Sequence, residues 1–213
     1  MLHFTRTRRF LATWTLALVA TVVALSGTSR ALDAAPPKPS PFPVQWELEF
    51  EPGPMRLYVD PLNGDGYWYF TYQITNQTGQ DRVWAPDLVL YSDAGEILES
   101  GRDVPNRVRE AARQMLGNDL LELPSEIIGD LLRGRENARE GLAIWPADDL
   151  SVNELTLFIG GISGETARVR HPRTGQEFIL RKTMVREYLI RGEALAYGDD
   201  PFELTIPPFW VMR

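Results

Sequence analysis

Short runs of alternating apolar and polar residues recur along this chain, and they are the feature that most restricts its fold. The clearest run spans residues 67–75, with an apolar face made of Trp68, Phe70, Tyr72 and Ile74. Strict alternation is typical of a β-strand, because successive side chains point to opposite faces. Turn-forming Asn, Asp and Gly residues separate the runs, and crossover helices do not alternate with them. This pattern predicts antiparallel sheets.

The same alternation predicts further strands on both sides of this run. They are 46–50, 55–59, 83–84, 88–91, 97–98, 142–145, 155–159, 165–169 and 178–190, with a hairpin turn at 171–175 and a prolyl, aromatic tail at 201–213. This layout resembles an immunoglobulin-like fold. We therefore predict a mainly β domain over residues 44–213, an antiparallel immunoglobulin-like sandwich.

Between residues 105 and 135 the apolar spacing changes to that of a helix. After Pro105, a helical stripe is formed by Val108, Ala111, Ala112, Met115 and Leu116, and residues 117–118 (Gly-Asn) are a natural stop. A second stripe within residues 124–132 consists of Ile127, Ile128, Leu131 and Leu132, with Glu126 placed in the first turn. We expect a two-helix insertion between sandwich strands.

The first 31 residues have the pattern of an export signal. Basic residues come first, an apolar run follows at 11–26, and Ser29 and Ala31 have the spacing that a signal peptidase favours. We predict a signal peptide cleaved after Ala31, with an uncleaved N-terminal anchor helix as the alternative. The protein is then exported, to the periplasm or the cell exterior. Residues 32–43 are rich in proline and predict an extended linker.

Charge and cysteine content exclude several classes of function. Cleavage would remove four of the 22 Lys and Arg residues and none of the 29 Asp and Glu residues, which leaves a net charge of −11. Such a chain is predicted not to bind nucleic acid, and to meet a membrane only through an uncleaved N-terminal segment. The chain has no cysteine. Disulfides, thiol nucleophiles and Cys-ligated metals are therefore excluded.

Metal-ligating and catalytic patterns are sparse. Outside the signal the single histidine is His171, in the hairpin turn, where a surface role is expected. Asp60, Asn63 and Asp65 resemble a calcium loop, but the EF-hand register fails because Pro61 stands at the first ligand position. A plain hairpin loop and a looser calcium site both remain open. We expect no other cofactor.

Two further groups of side chains bear on function. Tyr67 and Tyr69 lie on the strand face opposite Trp68, either as an exposed platform that stacks on sugar or peptide, or buried under the helical insertion. Glycoside or peptide hydrolysis would need two converging carboxyls. The candidates are Asp148, Asp149, Glu187, Asp199 and Asp200, and their spacing selects no pair.

From Trp68 onward, over about two-thirds of its length, the chain resembles a family of uncharacterised exported bacterial proteins. The segments that carry the resemblance are 74–78 (ITNQT), 137–141 (NAREG), 143–145 (AIW), 163–166 (SGET), 171–175 (HPRTG) and 210–213 (WVMR). The resemblance implies an exported location and a β-rich fold. It assigns no catalytic residues.

We therefore predict a non-catalytic, exported binding or structural module of the cell envelope. Its expected partner is an envelope protein or polysaccharide. Two alternatives remain open. One is a hydrolase that uses carboxylates assembled by the fold, and the other is a calcium-stabilised adhesion or scaffold module.

Overall fold

The computed structural model describes residues 36–213, and this part of the chain is mainly β with antiparallel sheets, as predicted. The predicted signal peptide or anchor at 1–31 lies outside the described residues. The strands are β1 (Glu49–Val59), β2 (Gly66–Thr75), β3 (Arg82–Trp84), β4 (Asp87–Ser92), β5 (Ile97–Glu99), β6 (Gly129–Leu131), β7 (Arg139–Ala147), β8 (Glu154–Gly160), β9 (Thr166–Arg170), β10 (Glu177–Leu189), β11 (Glu203–Leu204) and β12 (Phe209–Met212). The α-helix is α1 (Asn106–Leu116).

The strands form three sheets. One has three strands in the order β1-β2-β7, and a small one pairs β3 with β6. The largest has the order β11-β10-β8-β4-β5, and both β9 and β12 pair with β10 outside that path. Every pairing between these strands is antiparallel.

Side chains from the two main sheets share one hydrophobic core. Trp68 of β2 and Trp145 of β7 are fully buried and belong to the same cluster as Leu157 of β8 and Tyr188 of β10. Each large apolar side chain removed from water contributes on the order of 1.5–3 kcal/mol. Because the chain has no disulfide, this core is its main source of stability.

Helix α1 covers the other face of the three-stranded sheet. Its buried residues Val108 and Ala112 lie in a second cluster with Tyr67, Tyr69 and Ile144. Gly117 caps the C-terminal end of the helix, and its left-handed conformation (φ 61°) suits a residue without a Cβ. Within residues 36–213, no helix has the length and apolar content needed to cross a bilayer.

The predicted second helix at 124–132 is wrong. A turn follows Leu123, and residues 129–131 form β6, which pairs with β3. Ile127 and Leu131 are buried as the helical stripe required, but Gly129 between them has a φ of 150°, far from helical values. Glu126 accepts a hydrogen bond from the backbone N–H of Leu123 (2.8 Å) and so closes a turn instead of starting a helix.

The strands predicted at 46–50 and 55–59 overlap a single strand, β1, which begins at Glu49. The pairing of β1 with β2 shifts between Pro52 and Met55, which marks a bulge. Gly53 lies within this bulge, and a Cβ placed on it would come within 2.3 Å of the Thr71 hydroxyl oxygen. Glycine therefore allows the close approach that keeps both halves in one strand.

Candidate functional site

Residues 166–181 form a two-stranded arm, made of β9, the turn after it and the first five residues of β10. Residues 184–189 of β10 pair with β8, but residues 177–181 pair with β9 instead. None of the residues from 166 to 181 is buried. At about 3.4 Å per residue, five strand residues span roughly 17 Å. We call this segment the β9–β10 arm.

The two faces of the arm differ in chemistry. Residues directly opposite each other in an antiparallel pair share a face, so Arg168, Arg170 and Arg181 lie on one side together with Ile179. The other face is apolar, and it consists of Ala167, Val169, Phe178 and Leu180. Ile179 is 60% exposed and Phe178 is 42% exposed. The arm thus presents arginines and apolar side chains to solvent at the same time.

The arm is basic on an acidic domain. Residues 166–181 contain four arginines and one glutamate, whereas the rest of residues 36–213 contain 14 Lys and Arg against 27 Asp and Glu. Arg170 pairs with Glu177 at 2.6 Å. Arg168, Arg173 and Arg181 have no ion-pair partner within the described part of the chain. Since the Debye length is about 8 Å at physiological salt, the far end of the arm is largely screened from the negative domain.

His171 organises the turn at the far end of the arm. Its Nδ1 accepts hydrogen bonds from the backbone N–H groups of Arg173 (3.3 Å) and Thr174 (3.2 Å). Gly175 adopts a φ of 70°, and its N–H donates to the His171 carbonyl (2.9 Å). The hairpin turn predicted at 171–175 is therefore confirmed, with Arg173 exposed at its tip.

A buried lysine lies at the base of the arm. The Lys182 side chain is 1% exposed, and its Nζ lies 2.5 Å from Glu47 Oε1 and 3.5 Å from Glu165 Oε2. It also donates to the carbonyl of Ser40 (2.9 Å) and stands 4.6 Å from the centre of the Trp210 ring. Glu165 and Lys182 flank the arm on either side. At the base of the arm, the cluster therefore joins both of its strands to Ser40, a residue of the predicted linker.

The open outer edge of β9 is the most distinctive chemical property of the arm. In the described structure β9 has one strand neighbour, β10, so its outer edge presents unpaired backbone N–H and C=O groups. Arg168 and Arg170 extend from this edge strand at alternate positions. The arrangement can bind an anionic group through guanidinium side chains and an extended chain through the backbone.

The three candidate calcium ligands lie in one loop, where each has a protein partner. Asp60 is buried, its carboxylate pairs with Arg107, and it accepts the Leu62 N–H (3.0 Å). The Leu62 hydrogen bond and then the Arg107 guanidinium lower the pKa of Asp60 despite its burial. Asn63 donates to Asp65. Calcium binding at Asp60, Asn63 and Asp65 stays a prediction, and it would require the guanidinium to leave Asp60.

Tyr67 and Tyr69 lie under α1 and are 5% and 3% exposed. They pack in the second hydrophobic cluster, because the insertion covers this face of β2. The structure thus matches the burial interpretation and corrects the one that made them an exposed stacking platform. Desolvation raises the pKa of both phenols.

The candidate hydrolytic carboxylates are dispersed. Asp148 lines an open pocket of about 470 Å³ together with Asp65 and Asp103. Asp149 instead accepts hydrogen bonds from the hydroxyl and N–H of Ser151, which lower the pKa of its carboxyl, the direction opposite to that needed by a general acid. Glu187, Asp199 and Asp200 do not line that pocket. Residues 36–213 hold no cluster of three His, Asp or Glu side chains suited to a metal ion.

No protein-family model, curated protein or solved structure matches the chain.

The β9–β10 arm was not identified as a site from the sequence, although both of its strands and its turn were predicted. One signal was present: four of the chain's arginines fall within residues 166–181 beside a single acid. Two of them, Arg168 and Arg170, stand at alternate positions of one strand and indicate a local basic surface that the total charge of the chain does not show.

Proposed function

We propose that the chain is a non-catalytic, exported binding module of the cell envelope and that the β9–β10 arm is its contact surface. The observation that carries this proposal is the position of the arm outside the core. Ordering a residue costs about 1–2 kcal/mol of backbone entropy, and a segment with no buried residue recovers little of it from apolar burial. A structured basic arm of sixteen residues is therefore better explained by contact with another molecule.

The chemistry of the arm supports a partner from the cell envelope. Its free arginines Arg168, Arg173 and Arg181 favour an anionic partner, and the exposed Ile179 and Phe178 add apolar contact area next to those charges. An acidic envelope protein and an acidic polysaccharide both fit this description. The N-terminal pattern of residues 1–31 supports export.

We further propose an immunoglobulin-like sandwich for the domain. Two antiparallel sheets that share the core around Trp68, Trp145 and Leu157 support this assignment. In such folds, binding is commonly carried by loops and hairpins at the ends of the sandwich, where they can vary without disturbing the core. The arm extends in that manner beyond the part of β10 that pairs with β8.

Site-specific photo-cross-linking tests the proposed contact surface. A photoreactive amino acid is placed at Arg173, at the tip of the arm, in the full chain produced in cells that export it. A matched control carries the same group at Leu62, which is 80% exposed on a different loop. We expect a discrete cross-linked envelope component from Arg173 and none from Leu62.

Two results would contradict the proposal. One is equal labelling from both positions, which would indicate non-specific proximity. The other is recovery of the chain in the cytosol with its leader intact, with no envelope cross-link from the arm. Turnover of a glycoside or peptide substrate by the purified chain would favour the hydrolase alternative instead.

A further inference from the structure

The structure points to the kind of partner that the arm accepts, and this inference rests on the proposed function. We propose that the β9–β10 arm binds an extended polypeptide segment in which acidic and apolar residues alternate, and that the segment adds to the sheet as a strand beside β9. The partner's carboxylates would face Arg168 and Arg170. Its apolar side chains would lie on the opposite face, beside Val169.

The edge of β9 favours a polypeptide over other anionic molecules. A strand added to an exposed edge satisfies backbone N–H and C=O groups that otherwise bond only to water. A polysaccharide or a lipid headgroup can neutralise arginines, but neither can continue the hydrogen-bond ladder. Of these partners, a peptide chain alone can both pair with the open edge of β9 and neutralise the arginines.

The two faces of the arm set the sequence pattern of this partner. Along β9, Arg168 and Arg170 alternate with Ala167 and Val169. Cross-strand neighbours share a face, so an added strand places every second side chain against arginine and the others against an apolar surface. Phe178, which is opposite Val169 in β10, widens that apolar surface. Acidic and apolar residues in alternation match both faces.

The charge of the domain disfavours a flat anionic surface as the partner. Outside the arm, the described residues carry 13 more acids than bases, so the domain would be repelled by an anionic bilayer approaching the side of the arm. A bilayer kept at the tip would meet Arg173 but not Arg168 or Arg170. A narrow peptide can lie along the whole arm. Its distance from most acidic side chains of the domain then exceeds the Debye length, so their repulsion is screened.

Arginines on an edge strand also have a simpler explanation, since charged side chains protect edges from aggregation. That explanation predicts no preference for the order of residues in a bound peptide. Strand addition predicts a strong preference, because a register shift by one residue moves every side chain to the other face. The order of residues in the bound peptide therefore distinguishes strand addition from protection of the edge against aggregation.

The experiment measures binding of labelled synthetic peptides to the full chain by fluorescence anisotropy. One peptide alternates glutamate and valine, and the second has the same composition with the glutamates and valines in separate blocks. We expect the alternating peptide to bind at least about tenfold more tightly, with affinity that falls as salt rises. Hydrogen exchange of the β9 amides should slow only with the alternating peptide.

A charge-swap variant makes the test specific to the arm. R168E/R170E should lose about tenfold or more in affinity for the glutamate–valine peptide and gain affinity for a lysine–valine peptide. The matched control R102E/R191E changes two exposed arginines outside the arm and should bind as the unmodified chain does. Near-ultraviolet circular dichroism confirms that each variant is folded.

Other results would overturn the inference. They are equal binding of both peptides, no binding of either, or preferential binding of polygalacturonate or of phosphatidylglycerol vesicles. If the cross-link from Arg173 to an envelope component persists in any of these cases, the proposed binding function stands and only the peptide partner is wrong. If the cross-link is also absent, both fail.

Discussion

Replacement of Lys182 by methionine tests whether the buried ion cluster holds the base of the arm. Lys182 is within 2.5 Å of one carboxylate and 3.5 Å of another, and both glutamates are mostly shielded from water. At an effective dielectric constant of about 20, these two attractions amount to roughly 7 and 5 kcal/mol before desolvation is subtracted. Desolvation of the three ions offsets most of this sum.

The expected net effect follows from what the variant leaves behind. In Lys182→Met, Glu47 and Glu165 remain mostly shielded from water, and neither has the ammonium group beside it. Removal of one partner from a buried ion pair costs about 3–5 kcal/mol, so we expect the free energy of unfolding to fall by that amount. The triple variant K182M/E47Q/E165Q removes the stranded charges and should recover most of the loss.

Urea denaturation followed by tryptophan fluorescence measures this change. Arg181→Met is the matched control, because Arg181 is adjacent, exposed and without an ion pair among residues 36–213, so its effect should stay within about 0.5 kcal/mol. The N–H of Ser40 donates to Glu165 (2.9 Å), so its hydrogen exchange should accelerate in K182M. A loss below about 1 kcal/mol in K182M, or no recovery in the triple variant, would refute the reasoning.

Three further changes follow from the core and the Asp60 loop. Gly141→Ala places a Cβ 2.1 Å from the Tyr72 ring and should cost about 1–3 kcal/mol in urea melts, whereas Gly79→Ala meets open space and should be neutral. Tyr72→Phe should not destabilise the domain, because the buried Tyr72 hydroxyl has no hydrogen-bond partner in the described structure; a loss above about 1 kcal/mol would contradict this. The pKa of Asp60 is lowered on folding, so its contribution to stability is complete above its ordinary pKa of 3.8 and is lost as the pH falls through the lower folded value. Thermal melts of Asp60→Asn should therefore lack part of the acid destabilisation of the unmodified chain, and identical acid profiles would count against the ion pair with Arg107.

Most strands could be predicted from local pattern, because alternation is a property of neighbouring residues. β2 matches the run at 67–75 to within one residue, and β10 matches the run at 178–190 equally closely. The second helix failed where local pattern is ambiguous. A buried pair four residues apart, Ile127 and Leu131, fits one helical face, but it also fits a turn followed by a strand. Gly129 and the pairing with β3 decided between them.

The candidate site depended on contacts distant in sequence. The sequence showed Tyr67 and Tyr69 on one strand face, but only the packing of α1 against that face removed them from solvent. No sequence pattern singled out Lys182, and it is buried because Glu47 and Ser40, more than 130 residues away, meet it. Such pairings carry no local signal.

From the amino-acid order alone came the β-rich, disulfide-free character of the chain, its acidic balance and the hairpin turn at 171–175, since composition and alternation are local quantities. Only the tertiary structure decided that this hairpin lies outside the hydrophobic core. The partners of β10 differ along its length, with β8 beside residues 184–189 and β9 beside residues 177–181. Packing between the sheets sets where β8 stops pairing with β10. One end of β10 is therefore buried, and the other end belongs to the exposed arm.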